Sequence, residues 1–108
     1  MASDKPITRV TFFKIPDPAD QQKLINMYKE MPKKATKNGK PYILSVTAGS
    51  TFDDQRNQGF TVAVISSFAS LEDFEYYDKE CEAHAALKPV ANSMHQGIMM
   101  AYFNNAVA

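Results

Sequence analysis

The stretch EYYDKECEAHAALKPV, Glu75 to Val90, brings two tyrosines, several carboxylates, a cysteine and a histidine into one short segment. Three chemistries are open to it. His84 can act as a general base, because imidazole titrates near neutrality and can take the proton beside a ketone. A tyrosine hydroxyl nearby, from Tyr77 or its neighbour Tyr76, would orient the ring or donate to a developing enolate oxygen. A metal could instead draw on Glu80, Cys81 and His84. A site needs three or four convergent ligands, however, and the spacing of zinc motifs is absent, so no metal is expected. A Cys81–His84 nucleophile pair is weaker still, since nothing marks a third orienting group or a lowered thiol pKa.

A plainer use competes with all three. A histidine at a helix junction often tethers the segment through a backbone carbonyl. Asp78, Glu80 and Glu82 then form the wet face. Both uses of His84, tether and pocket wall, remain open. His95, in SMHQG, reads as a surface or capping residue. Tyr28, Tyr76 and Tyr77 read first as core or rim aromatics. Met94, Met99 and Met100 are flexible fillers, and as neighbours on a strand Met99 and Met100 face opposite sides.

The elements that position these residues follow from periodicity. ITRVTFFKI, about Ile7 to Ile15, is a β-branched and aromatic strand. Asp17 is a helix N-cap with Pro18 in the first turn, and Leu24, Ile25, Tyr28 and Met31 mark a buried face. Asn38-Gly39 and Pro41 end that unit with turn chemistry. YILSVTAGS (42–50) and FTVAVISSF (60–68) form a long hairpin around the polar loop TFDDQRNQG. Ser70 and Asp73 cap a second helix, with Leu71, Phe74, a tyrosine and Cys81 at helical spacing. A further helical piece, about 83–94, is expected to bend or break at Pro89. Gly97 releases the last strand, IMMAYFNN.

The order βαββαβ is the split βαβ pattern of a ferredoxin-like α+β fold with a four-stranded antiparallel sheet. Helices cover one face of such a sheet, and a solvated opposite face should be polar. Here both faces carry apolar residues. Phe60, Val62, Val64 and Phe68 oppose Ala63 and Ile65; Ile98, Met100 and Tyr102 oppose Met99, Ala101 and Phe103; Ile7, Phe13 and Ile15 oppose Val10 and Phe12. An uncovered apolar face is an association surface, so a homodimer is expected.

Composition bounds the rest. The 108 residues suit one domain, 1–108 with its core at about 6–104. Twelve basic residues balance twelve acidic ones, so no global field draws nucleic acid or an anionic membrane. The cations of MPKKATKNGK suit a helix C-terminus. No apolar run spans a bilayer, and MASDKPITRV lacks a signal peptide's apolar stretch. With one cysteine, Cys81, no intramolecular disulfide forms. A cytoplasmic location is expected.

TRVTFFKIP, GFTVAVISSFASLEDFEYYDKECEAH and MMAYF together resemble the stress-responsive A/B barrel (Dabb) family over nearly the whole chain. The resemblance implies two ferredoxin-like subunits joined into a dimeric α/β barrel. Many members have no established activity. Some, the plant polyketide cyclases among them, need no cofactor and close a poly-β-ketone chain by an aldol step. Their closing histidine resembles His84, a tyrosine on the preceding helix resembles Tyr77 (with Tyr76 as alternative), and a pocket tyrosine resembles Tyr28. The chain departs from them at Arg9, where the cyclases have a histidine, at Glu82, where members commonly have proline, and in the spacing from Tyr77 to His84, about one residue longer here, which keeps Tyr76 as the alternative. Arginine can pair with a carboxylate or polarise a carbonyl but cannot serve as a base. Haem-degrading relatives place a tryptophan beside the haem, and this chain has none. No cofactor is expected. The implied reading is a small dimer binding a hydrophobic molecule in an apolar pocket, with Arg9, Phe13 and Met100 as contacts. A cyclase or lyase with His84 as base is the alternative.

Overall fold

The computed structural model describes residues 5–107. The outermost parts of the expected domain, 1–4 and 108, and with them part of the stretch read for a signal peptide, lie outside the described residues.

The chain runs β1 (Ile7–Phe13), α1 (Pro18–Lys34), β2 (Thr36–Lys37), β3 (Lys40–Pro41), β4 (Ile43–Ser50), β5 (Val62–Phe68), α2 (Leu71–Lys79), α3 (Glu82–Met94) and β6 (Ile98–Asn104). The main sheet has the order β4-β5-β1-β6, antiparallel throughout. The fold is thus α+β and ferredoxin-like. The helix N-termini form where the capping chemistry places them. Asp17 accepts from the Ala19 amide at 2.8 Å, and Ser70 from the Asp73 amide at 3.2 Å.

Alternation assigns the sheet's two faces. Ile7, Arg9, Thr11 and Phe13 of β1 and Val62, Val64, Ser66 and Phe68 of β5 are buried against the helices. Leu24, Ile25, Tyr28 and Met31 of α1, Phe74 and Tyr77 of α2, and Leu87 and Ala91 of α3 complete the core. Phe68 lies at its centre, with ring centroids 5.1 Å from Tyr77 and 5.9 Å from Phe74. Each fully buried apolar side chain of this size stabilises the fold by about 1.5–3 kcal/mol. The opposite face is uncovered: Ile65, Met99 and Phe103 are each 44–50% exposed there.

Three sequence expectations need correction. β1 ends at Phe13 rather than Ile15, whose amide is taken by the Thr61 hydroxyl at 2.9 Å. Pro89 does not interrupt its helix, which runs unbroken from Glu82 to Met94. The break falls earlier, at Glu80–Cys81, so Cys81 is the N-cap of α3 and not part of the second helix. An unforeseen two-residue hairpin, β2–β3, is closed by Asn38 and Gly39, both at positive φ (55° and 78°), as a tight Asn-Gly turn requires.

Candidate functional site

The site begins with the way α2 ends. The Glu80 and Cys81 amides both donate to the Tyr76 carbonyl, at 2.8 and 2.9 Å, and Cys81 turns extended (φ −67°, ψ 121°). The Tyr77 carbonyl therefore loses the amide that a continuing helix would supply. The next helix provides two replacements from one face, four residues apart. His84 Nδ1 lies 2.9 Å from the Tyr77 carbonyl oxygen, and Lys88 Nζ donates to the Asp78 carbonyl at 2.8 Å. Glu82 occupies the first turn of α3, where an acidic side chain complements the helix dipole.

That contact dictates the histidine's chemistry. A carbonyl only accepts, so Nδ1 carries the proton and the neutral ring presents a bare Nε2 lone pair. Nε2 has no hydrogen-bond partner among the described residues. The ring stacks on Tyr77 with centroids 4.0 Å apart and planes 13° from parallel. His84 is 4% exposed. Burial pushes its pKa down to about 4, against the opposing pull of the backbone hydrogen bond. It is neutral at pH 7. Burial likewise raises the Tyr77 hydroxyl far above its usual range and pushes Tyr28 up to about 12, with the Arg9 charge opposing in both.

Arg9 enters from β1 and is 6% exposed. Its guanidinium donates to the Thr11 hydroxyl at 2.7 Å and sits 5.3 Å from the Tyr77 ring centroid. Its ion-pair partner, Asp78, is 3.9 Å away, beyond hydrogen-bond reach, and its Nε has no partner.

These groups share a cavity of about 200 Å³ between the sheet and α3. Arg9, Tyr28, Asp78 and His84 form its polar part, and Phe13, Leu87, Ala91 and Ile98 its apolar walls. The cavity is therefore more polar than the dry pocket the sequence suggests. Tyr77 lies beneath the His84 ring. Tyr76 points elsewhere, donating to the Thr36 carbonyl at 3.2 Å and packing edge-on to Tyr42. Met100 is a correction: it lies on the helix-side face, opposite Thr11 and 37% exposed, but does not line the cavity. On the same strand Ile98, two residues before it, lines the cavity instead, beside Leu87 and Ala91. His95 ends α3, 3.2 Å from the Asn92 side-chain oxygen.

Sequence reasoning read Asp78 as solvated and gave Lys88 no role. Their spacing to His84 carried a signal only once the helix break is known. A larger hollow of about 310 Å³ opens on the uncovered sheet face, lined by Phe12, Phe60 and Met99, but its one charged side chain, Arg56, is exposed and paired with Asp54. Among the described residues no group of three or more His, Cys, Asp or Glu could hold a metal, and no helix is long and apolar enough to cross a membrane.

Known proteins share this arrangement of elements. A fusaristatin A biosynthesis cluster protein of Gibberella zeae is 40% identical over 98 residues, covering 90% of this chain and 71% of its own length. The hydroxynitrile lyase of Passiflora edulis superposes with a TM-score of 0.80 at 15% identity, covering 97% of both chains. A dimeric ferredoxin-like protein of unknown function from Thermobifida fusca gives 0.76 at 15% identity, over 96% of this chain and 94% of its own. At those identities the two structures speak for the fold alone. The Stress responsive A/B Barrel Domain model matches residues 7–105, and the chain belongs to that family.

Proposed function

We propose that this chain forms a homodimer through its uncovered sheet face, and that each protomer binds a small, largely apolar molecule in the cavity beside His84. The observation that carries the ligand reading is the hollow where a bare imidazole nitrogen and a buried cation meet apolar walls. Such sites, a concave apolar surface with a few convergent polar groups, are where small molecules bind. The dimer is supported by the exposed apolar residues of β5 and β6 and by the dimeric state of the Thermobifida fusca neighbour. A cytoplasmic location agrees with the single cysteine, buried and unpaired.

A second reading is favoured by the tautomer of His84. With Nδ1–H held by the Tyr77 carbonyl, Nε2 is the free lone pair, and a bound ligand would have to raise the ring's pKa from about 4 for it to take a proton from carbon beside a ketone. Arg9 can polarise the carbonyl oxygen, and Tyr28 can donate to it. This is the first step of a cofactor-independent cyclase or lyase. The hydroxynitrile lyase likeness and the biosynthesis-cluster relative are compatible with it.

One experiment addresses both. Isotope-labelled protein is titrated with small apolar ketones in D2O and followed by NMR. Saturable shifts at Tyr28, His84 and Leu87, at one ligand per protomer, are expected for binding. Deuterium uptake beside the carbonyl, faster than solvent by about 10²–10⁴ and lost in His84→Ala, is expected for the enzyme. Binding without exchange leaves the first reading alone; the absence of saturable shifts rejects the cavity as a ligand site.

A further inference from the structure

Arg9 is the least satisfied buried group of the cavity. A guanidinium carries five N–H groups in a fixed fork. Here the guanidinium donates to Thr11 and interacts with the Tyr28 hydroxyl, while Nε has no partner and Asp78 stands off at 3.9 Å. A buried charge is costly unless paired and hydrogen-bonded. An arginine that is 6% exposed, with a buried Nε–H left without an acceptor, lines a cavity that can admit one.

The local charge balance points the same way. Within the cavity the buried Arg9 meets a single carboxylate, Asp78, which is 36% exposed and outside hydrogen-bond reach, so no bonded anion offsets it. Lys88 is exposed and tied to the Asp78 carbonyl, so it stands at the mouth rather than against the ligand. A planar carboxylate matches the guanidinium fork in two parallel bonds. Phe13, Leu87, Ala91 and Ile98 provide the apolar surface for the rest of such a molecule.

We propose that the cavity selects small apolar monocarboxylic acids, with the carboxylate held by Arg9 and the hydrocarbon part against Phe13, Leu87, Ala91 and Ile98. This rests on the reading of the cavity as a ligand site and assigns its ligand class.

The test compares n-hexanoate with n-hexanamide by isothermal titration calorimetry, in wild type, Arg9→Lys and Arg9→Gln. The acid should bind wild type at least about tenfold more tightly than the amide, as hydrogen bonds to charged groups imply. Arg9→Gln should bring the acid to the amide's level and leave the amide unchanged. Arg9→Lys, which keeps the charge but loses the fork, should fall between. Thermal melting checks folding and adds a second readout: hexanoate should raise the Tm of wild type and not of Arg9→Gln. Equal binding of acid and amide by wild type overturns the carboxylate assignment while the cavity reading stands. Binding of neither overturns both. Inorganic phosphate bound more tightly than hexanoate would overturn the monocarboxylate class.

Discussion

At the scale of single residues, the site depends on which protons are fixed by the fold. The pKa of His84 lies near 4 in the folded chain and near the ordinary 6.5 when unfolded. Between those values the unfolded state binds more protons. The stability associated with keeping His84 neutral is therefore complete above about pH 6.5 and is lost as pH falls towards 4. The upper limit is on the order of 3 kcal/mol. Urea denaturation across this range should show the loss in wild type and a shallower slope in His84→Gln; identical slopes would show that His84 is not held neutral by the fold. The sequence made the candidate residues legible: His84, Tyr77, Tyr28, Arg9 and Phe13 do gather in one place. It could not separate Tyr77 from Tyr76, because adjacent helix positions differ only in direction and that is decided by packing against Phe68 and Tyr42. It could not pair Arg9 with Asp78 either, since they are far apart in the chain and meet only through the fold.

At the scale of elements, local rules carry most of the architecture. Strand alternation, the Asp17 and Ser70 caps and the Asn38-Gly39 turn all appear where their chemistry requires. The cap of α2 should be measurable. Ser70→Ala removes the acceptor for the Asp73 amide and should cost about 1 kcal/mol by chemical denaturation. The salt bridges of Lys37 to Asp73 and Glu72 hold the β2–β3 hairpin to the same helix start, so the loss should be accompanied by faster hydrogen exchange in that hairpin. Local rules placed a junction between the two helices near 81–83, but did not give its cause. Proline is the usual breaker, yet α3 runs through Pro89, and the turn at Cys81 has no breaker residue. Its cause is tertiary: side chains of α3 satisfy the carbonyls that the break exposes.

For the whole molecule, the two faces of one sheet have separate uses. The helix-side face builds the core and cavity, and the opposite face leaves Ile65, Met99 and Phe103 uncovered. β6, at the sheet edge, has no buried residue along its length. Light scattering should give twice the chain mass for wild type at micromolar concentration. Ile65→Lys places a charge in the middle of that face and should give the single-chain mass while keeping the fold by circular dichroism. A wild-type protein of single-chain mass would rule out this face as the interface. The two-sided apolar pattern was visible in the sequence because alternation reports each face independently. The polar character of the cavity was not, because Arg9 and Thr11 occupy positions that periodicity marks only as inward.

The junction between α2 and α3 has a consequence for how this chain can change over time. Adding or removing one residue between Tyr77 and His84 would turn the imidazole about 100° around the axis of α3. The amino-acid inventory would scarcely alter, yet the ring would leave its carbonyl, its preferred tautomer and the tyrosine beneath it together. The length of this short connection, as much as its composition, thus sets where the imidazole points.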